Sequence, residues 1–166
     1  MTNRPFHKNF YLTNLHAGNF QDAADLEIHS GEKLWNIEDI EEQLKNPRNF
    51  GWFVTNAKQP VAYMLFHSSA RREWHDSPYA HQNLEIINLV VDPDFRRQRI
   101  GSVLLNKLEN WKGIRKHSIS AVVSETNGFA HQFFRNNGYR ATLENQKFYR
   151  FERILKKSVE TVECIR

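Results

Sequence analysis

The 166-residue chain holds a single cysteine, Cys164. A disulfide framework within the molecule is therefore excluded, and the composition suits a reducing compartment such as the cytoplasm. No histidine neighbours Cys164 in sequence, so the thiol lacks the adjacent base that a nucleophilic cysteine uses. No run of 18 apolar residues occurs, which removes a helical membrane span, and Met1–Asn9 is too polar for a secretion signal. Internal repeats, low-complexity stretches and linker-like segments are also missing, so one domain is expected. His75 and His81 have neither a cysteine nor an HxxxH partner, which leaves no metal-ligand set.

What is present is the composition of a folded protein. Hydrophobic residues make up 40% and aromatics 13%, with 12 Phe and 4 Trp, enough for a proper core. The formal charge of +4 and pI of about 9.3 suit an anionic ligand, an acidic peptide or nucleic acid without choosing among them.

Apolar patterning divides the chain into alternating elements. Asn9–Leu15 reads as a strand and Ala17–Ile28 as a helix. A second helix covers Ile37–Leu44 and ends before Pro47; acidic residues in its first turns favour its dipole. Phe50–Thr55 and Val61–His67 read as a hairpin. Ser68–Asn83 is a long polar connection carrying Arg71, Arg72, Trp74, His75 and His81, as suited to a substrate-facing loop as to a solvated insertion. Beyond it come a strand at Leu84–Val91, a helix over Ser102–Trp111 stopped by Gly113, and a strand at Ser118–Val123. A short helix over Gly128–Asn137 ends at Gly138, and strands at Tyr139–Leu143 and Lys147–Arg153 follow. The expected layout is an N-terminal extension at 1–8, a domain at 9–155 and a tail at 156–166.

The most informative stretch is LEIINLVVDPDFRRQRIGS, from Leu84 to Ser102. Its strand is apolar apart from Glu85 and Asn88 and is stopped by Asp92-Pro93, since proline cannot donate to the ladder. Arg96, Arg97 and Arg99 then crowd the start of a helix, where the dipole disfavours each cation by roughly 0.3–1 kcal/mol. An anion held by free backbone N–H groups and guanidinium forks would offset that cost. Strand–helix–strand order from Leu84 to Val123 calls for a right-handed crossover and a parallel pair.

Strand, V-x-P and R-x-x-x-x-G opening a helix resemble the acetyl-CoA motif of the GNAT superfamily of N-acetyltransferases. The family pattern Q/R-x-x-G-x-G/A is met by Arg96 and Gly101, while Arg99 stands in place of the first glycine. A second block, Asn127-x-x-Ala130-x-x-Phe133-Phe134-x-x-x-Gly138-Tyr139, is similar to the family's N-x-x-A-x-x-(L/F)-Y-x-x-x-G-F. The resemblance covers about residues 9–153. It implies an α/β (α+β) fold: a mixed, mostly antiparallel sheet with a splayed parallel pair, about 84–91 and 118–123, flanked by about four helices. It also implies acetyl-CoA as cosubstrate and a primary amine as acceptor. By the resemblance, Leu89, Val90 and Val91 offer backbone groups to the pantetheine arm. Arg96, Arg97, Gln98, Arg99, Ile100, Gly101 and Ser102 form the phosphate turn. Asn127, Ala130, Phe133 and Phe134 line the acyl end.

Several members carry a glutamate at the position of Glu85 that acts as base, often through water. A carboxylate on a buried strand is expected to be desolvated, which suits that role. The tyrosine acid of many members is replaced here by Phe134, leaving Tyr139 and Tyr149 as alternatives. A thiol of pKa about 8.5 is a tolerable leaving group without an acid. LEIINLVVDP, the Leu34–Pro47 region and Phe148-Tyr149 resemble the bacterial ribosomal-protein-alanine N-acetyltransferase subgroup, which often has a glutamate where this chain has Val122. An α-amine of pKa about 7.7–8.0 is roughly a tenth neutral at pH 7, far more than a lysine. A peptide or protein N-terminus is thus favoured as acceptor, with small-molecule amines open. A non-catalytic acyl-CoA-binding module of the same fold is the alternative. Nucleic acid, by way of Arg71, Arg72 and Arg96–Arg99, rests on charge alone. No membrane partner is expected, and the protein is read as a monomer or homodimer.

Overall fold

Among the described residues seven strands form one sheet, and most of them are rich in β-branched and aromatic side chains. The computed structural model describes residues 9–31, 35–57, 59–69, 82–111 and 116–155. The strands are β1 (Phe10–Asn14), β2 (Asn49–Asn56), β3 (Gln59–Ser68), β4 (Gln82–Val91), β5 (Lys116–Ser124), β6 (Arg140–Asn145) and β7 (Phe148–Ile154). Their spatial order is β1-β2-β3-β4-β5-β7-β6, antiparallel throughout except for the β4–β5 pair. Among the described residues four α-helices accompany them: α1 (Phe20–Ser30), α2 (Ile37–Lys45), α3 (Ile100–Glu109) and α4 (Gly128–Asn136). The mixed sheet with one parallel pair and four helices is the architecture expected from the sequence.

Local chemistry sets the helix ends. Asn36 and Asp39 form a reciprocal capping box at the start of α2. Gly31 and Gly138 follow α1 and α4 in left-handed conformation, at φ 80° and 82°. The α3 helix ends at Glu109, earlier than Gly113 would place it, and Gly113 lies outside the described residues. Asn110 closes the helix by donating from its side chain to Asn106 O at 2.8 Å. Trp111 thereby leaves the helix and packs among Phe50, Trp52 and Phe66, with ring centroids 4.8–6.3 Å away.

The sheet carries a core on each face, which is why β4 reads as almost continuously apolar. On one face α1 and α2 bury Ala23, Leu26 and Ile40 against Phe53, Tyr63, Leu65 and Val90. On the other, α3 and α4 bury Leu104, Leu108 and Phe134 against Met64, Phe66, Ile86, Ile119 and Phe151. The first pair of helices packs on β2, β3 and β4. Among the described residues, no helix covers that same face of β5, β7 and β6, and Val122 and Phe148 are each 40% exposed there. Of the features singled out in the sequence, Arg71, Arg72, Trp74, His75, His81 and Cys164 lie outside the described residues.

Candidate functional site

The ladder between β4 and β5 is short. It runs from Gln82–Lys116 to Ile86–Ala121 and stops, although β4 continues to Val91 and β5 to Ser124. On its other edge β4 stays paired with β3 as far as Val91–Ala62. The departure coincides with a bulge: Phe66 faces Ile86 and Leu65 faces Asn88, so Ile87 is an extra residue. A bulge bends its strand and increases the local twist, which swings Asn88–Val91 away from β5. The result is a notch within the sheet, edged by β4 backbone groups that no described strand pairs. Backbone donors and acceptors in such a place need partners, and an extended ligand with amide groups would supply them.

The notch opens onto the turn after β4. Asp92 accepts from the Asp94 N–H at 2.8 Å, and a one-turn 3-10 helix, Pro93–Phe95, leads to the arginines. Arg97 and Arg99 both have left-handed backbones, at φ 62° and 64°. That conformation is costly for a residue with a Cβ, by about 1–2 kcal/mol. Arg99 is the N-cap of α3 and places no side-chain hydrogen bond on it, so the N–H groups of the first turn, Ile100 to Ser102, point out uncapped. The Arg97 and Arg99 side chains are exposed and Gln98 is half-buried. Arg96 is used differently: its Nε donates to Val91 O at 3.1 Å, which ties the turn to the end of β4.

Below the turn, α3 and α4 converge. A Cβ at Gly101 would stand 3.0 Å from the Phe133 ring and 4.0 Å from Leu89 Cδ2. Leu89, Val91, Ala130 and Phe133 all pack on the same core cluster, so the structure brings these predicted residues together. Val90 points to the opposite face, against α1 and α2, and can present only its backbone to the notch. Asn127 is the N-cap of α4, its Oδ1 accepting from the Ala130 N–H at 3.0 Å. Phe134 is buried, stacked on Phe151 at 5.5 Å and edge-on to Tyr139 at 5.3 Å. Phe151 pairs with Ala121, which is where the notch closes. Tyr139 is no replacement for a tyrosine there. Its hydroxyl is buried near Glu109, at the far end of α3 from the arginine turn, and burial pushes its pKa up. Tyr149 packs edge-on to His131, whose Nε2 meets the Ser124 carbonyl at 2.9 Å.

The other side of the sheet is polar where the notch closes. Glu85 is half-buried rather than enclosed, flanked by His67 on β3 and Ser120 on β5. Arg150 on β7 reaches Ser120 Oγ at 3.3 Å and grips Glu144 at 2.6 and 3.0 Å. That bond to Glu144, with smaller contributions from Glu85 and Glu152, holds the guanidinium above its ordinary range, and Arg150 holds the Glu144 carboxyl low. One residue beyond the bulge, Asn88 Nδ2 donates to Glu27 Oε1 at 2.6 Å and to Tyr63 Oη at 2.9 Å, while Tyr63 donates to Glu27. Glu27 and Tyr63 are fully buried. Glu27 carried a readable signal: it falls on the stripe Phe20, Ala23, Ala24, a carboxylate at an apolar helical position. His67 and Tyr63 carried none, because only strand register brings them beside β4.

A family model for acetyltransferases (GNAT) matches residues 20–139. No curated protein matches the chain in sequence. The ribosomal-protein-S18-alanine N-acetyltransferase from Escherichia coli superposes with a TM-score of 0.68 at 15% identity, covering 92% of this chain and 98% of that one. Arabidopsis thaliana NAA60, solved in complex with acetyl-CoA, gives 0.68 at 12% identity over 88% and 98% of the two chains. Arabidopsis thaliana Naa50, in complex with the bisubstrate analogue CoA-Ac-MVNAL, gives 0.65 at 16% identity over 88% and 99%. At these identities the likeness is one of fold.

Proposed function

The chain belongs to the acetyltransferase (GNAT) family, and from that we propose that it moves an acetyl group from acetyl-CoA directly to a primary amine, best a peptide or protein N-terminus. The observation that carries the reading is the notch between β4 and β5 opening onto the uncapped start of α3. The residues fit the cosubstrate. The diphosphate meets the N–H groups of Ile100, Gly101 and Ser102 and the exposed Arg97 and Arg99, with Gln98 beside them. Arg96 steadies this turn through Val91. The pantetheine arm then runs back along the Leu89–Val91 backbone as a substitute strand. Its thioester arrives where the strands close, at Ile86 and Ala121, with Ala130, Phe133 and Phe134 on the α4 side.

Glu85 stands at that closed end on the opposite face and is the base that frees the amine. The acceptor enters over the uncovered face of β5 and β7, past Val122 and Phe148. Phe134 has no proton to give, so the thiolate leaves without a tyrosine acid, and an α-amine asks least of such a site. The peptide-bearing bisubstrate analogue held by Naa50, a protein of the same fold, supports the N-terminal acceptor.

Calorimetric titration with acetyl-CoA, CoA and desulfo-CoA tests the cofactor half of the proposal; micromolar binding at one site per chain is expected. Thiol release is then measured against peptides with free α-amines and against small amines. A folded protein that binds none of the three ligands sinks the reading. One that binds them but turns over no amine is a non-catalytic acyl-CoA module.

A further inference from the structure

Glu85 belongs to a row of polar side chains crossing six strands on the α1 side of the sheet. Register sets Asn49 beside His67, His67 beside Glu85, Glu85 beside Ser120, Ser120 beside Glu152, and Glu152 beside Arg140. Cross-strand partners share a face, and in the antiparallel pairs of this row their Cβ atoms stand about 4.5–5.5 Å apart. Within this row the His67 ring is held in one orientation. Asn49 Nδ2 donates to the backbone carbonyl of Gln43 at 2.8 Å and to Gln43 Oε1 at 3.1 Å, near the end of α2. Those acceptors fix the amide, so Asn49 Oδ1 faces His67 and lies 2.7 Å from its Nδ1. An amide oxygen only accepts. Nδ1 therefore carries the proton, and Nε2 of the neutral ring carries the lone pair. No described residue bonds to Nε2.

An imidazole pinned at Nδ1, with its other nitrogen free and a carboxylate facing it across the strand pair within reach of a bridging water, is arranged to take up a proton. We propose, resting on the acetyl-transfer reading above, that His67 relays the proton Glu85 removes from the acceptor, with Asn49 as the positioning residue that sets its tautomer. The acceptor arrives as an ammonium and gives one proton to the Glu85 carboxylate, directly or through a water. Glu85 passes it through one bridging water to His67 Nε2. The imidazolium keeps its Nδ1–H bond to Asn49 and returns the proton from Nε2 to solvent. The freed amine attacks the thioester carbonyl: a C–N bond forms, the C–S bond breaks, and the second amine proton goes to the departing thiolate. One ammonium and one thioester give one amide, one thiol and one released proton, with nothing oxidised or reduced.

The test compares wild type, His67→Gln, His67→Ala, Asn49→Leu and Glu85→Gln, using acetyl-CoA with a panel of free-α-amine hexapeptides and simple amines. His67→Gln keeps a polar side chain but cannot carry a proton. Its kcat is expected to fall roughly 10²-fold, with KM and the acetyl-CoA Kd moving less than about threefold and little change in Tm. Added imidazole should restore His67→Ala at least about tenfold and leave Glu85→Gln unrestored. Asn49→Leu, which frees the ring, should lose about tenfold in kcat. Wild-type kcat in His67→Gln overturns the relay. So does a loss that follows Tm and that imidazole does not restore, since that marks a structural role. If wild type binds acetyl-CoA yet releases no thiol with any amine, the acetyl-transfer reading fails and the relay fails with it. Turnover by wild type with an unaffected His67→Gln removes the relay alone.

Discussion

At the scale of single residues, Arg99 and Glu27 each break a local rule. Arg99 keeps a left-handed backbone where glycine would sit without strain. Arg99→Gly should leave stability unchanged or raise it by up to about 1 kcal/mol in urea unfolding, because relief of strain outweighs glycine's extra unfolded-state entropy. The same variant should bind acetyl-CoA more weakly; equal affinity would show that the guanidinium gives the phosphates nothing. Glu27 is a carboxylate in a core, kept by the donors Tyr63 and Asn88. Tyr63→Phe deprives that carboxylate of one donor and should cost about 1–3 kcal/mol. The phenol also has a signature in pH. Burial first, then the bond to Glu27, raises the Tyr63 pKa above its ordinary 10.0, and burial raises Tyr139 as well. Both hold their protons in the fold while the unfolded chain ionises near 10. Their stabilisation is complete below about pH 10 and drains away above it, because there the folded chain binds more protons. Urea unfolding from about pH 8 to about pH 11 should show that decline, and Tyr63→Phe should flatten it.

At the scale of elements, the contact of α3 with α4 is set by a missing Cβ. Gly101→Ala brings a methyl to 3.0 Å from the Phe133 ring, an overpacking that should cost about 1–3 kcal/mol. Phe133→Leu should recover part of that loss in the double variant, a coupling visible in a mutant cycle. Additive losses would place the strain elsewhere. Asn127 makes a second test: as N-cap of α4 its replacement by alanine should cost about 1 kcal/mol, and by serine almost nothing. The elements themselves were legible in the sequence, because their hydrophobic periods agree with their caps and breakers. The strand stopped by Asp92-Pro93, the arginine turn and the Asn127–Gly138 block marked both walls of the notch. The individual duties within them were less readable. Arg96 holds a carbonyl of its own chain and Asn127 caps its own helix, and neither bond has a sequence period. The row from Asn49 to Arg140 depends on six strands in one register, each of which looks unremarkable alone.

At the scale of the whole molecule, the sheet is two blocks joined at β4 and β5. Seven residue pairs link β3 to β4 and seven link β5 to β7, but five link β4 to β5, all at one end of the strands. A ligand in the notch would complete the sheet. At about a hundredfold excess over its Kd, acetyl-CoA should add about 2.7 kcal/mol and raise Tm by roughly 5–10 °C. Amide exchange should slow at those β4 groups beyond Ile86 that β3 does not bond, and unchanged exchange there would place the ligand elsewhere. The same asymmetry decides how the protein yields to pulling. Held by one handle on β3 and another on β7, the β4–β5 seam is already open at its top, so load falls on one ladder bond at a time and the sheet unzips. Shearing several bonds at once takes more force than peeling them singly. Acetyl-CoA laid across the open end would join the two lips, and the rupture force should climb with its concentration.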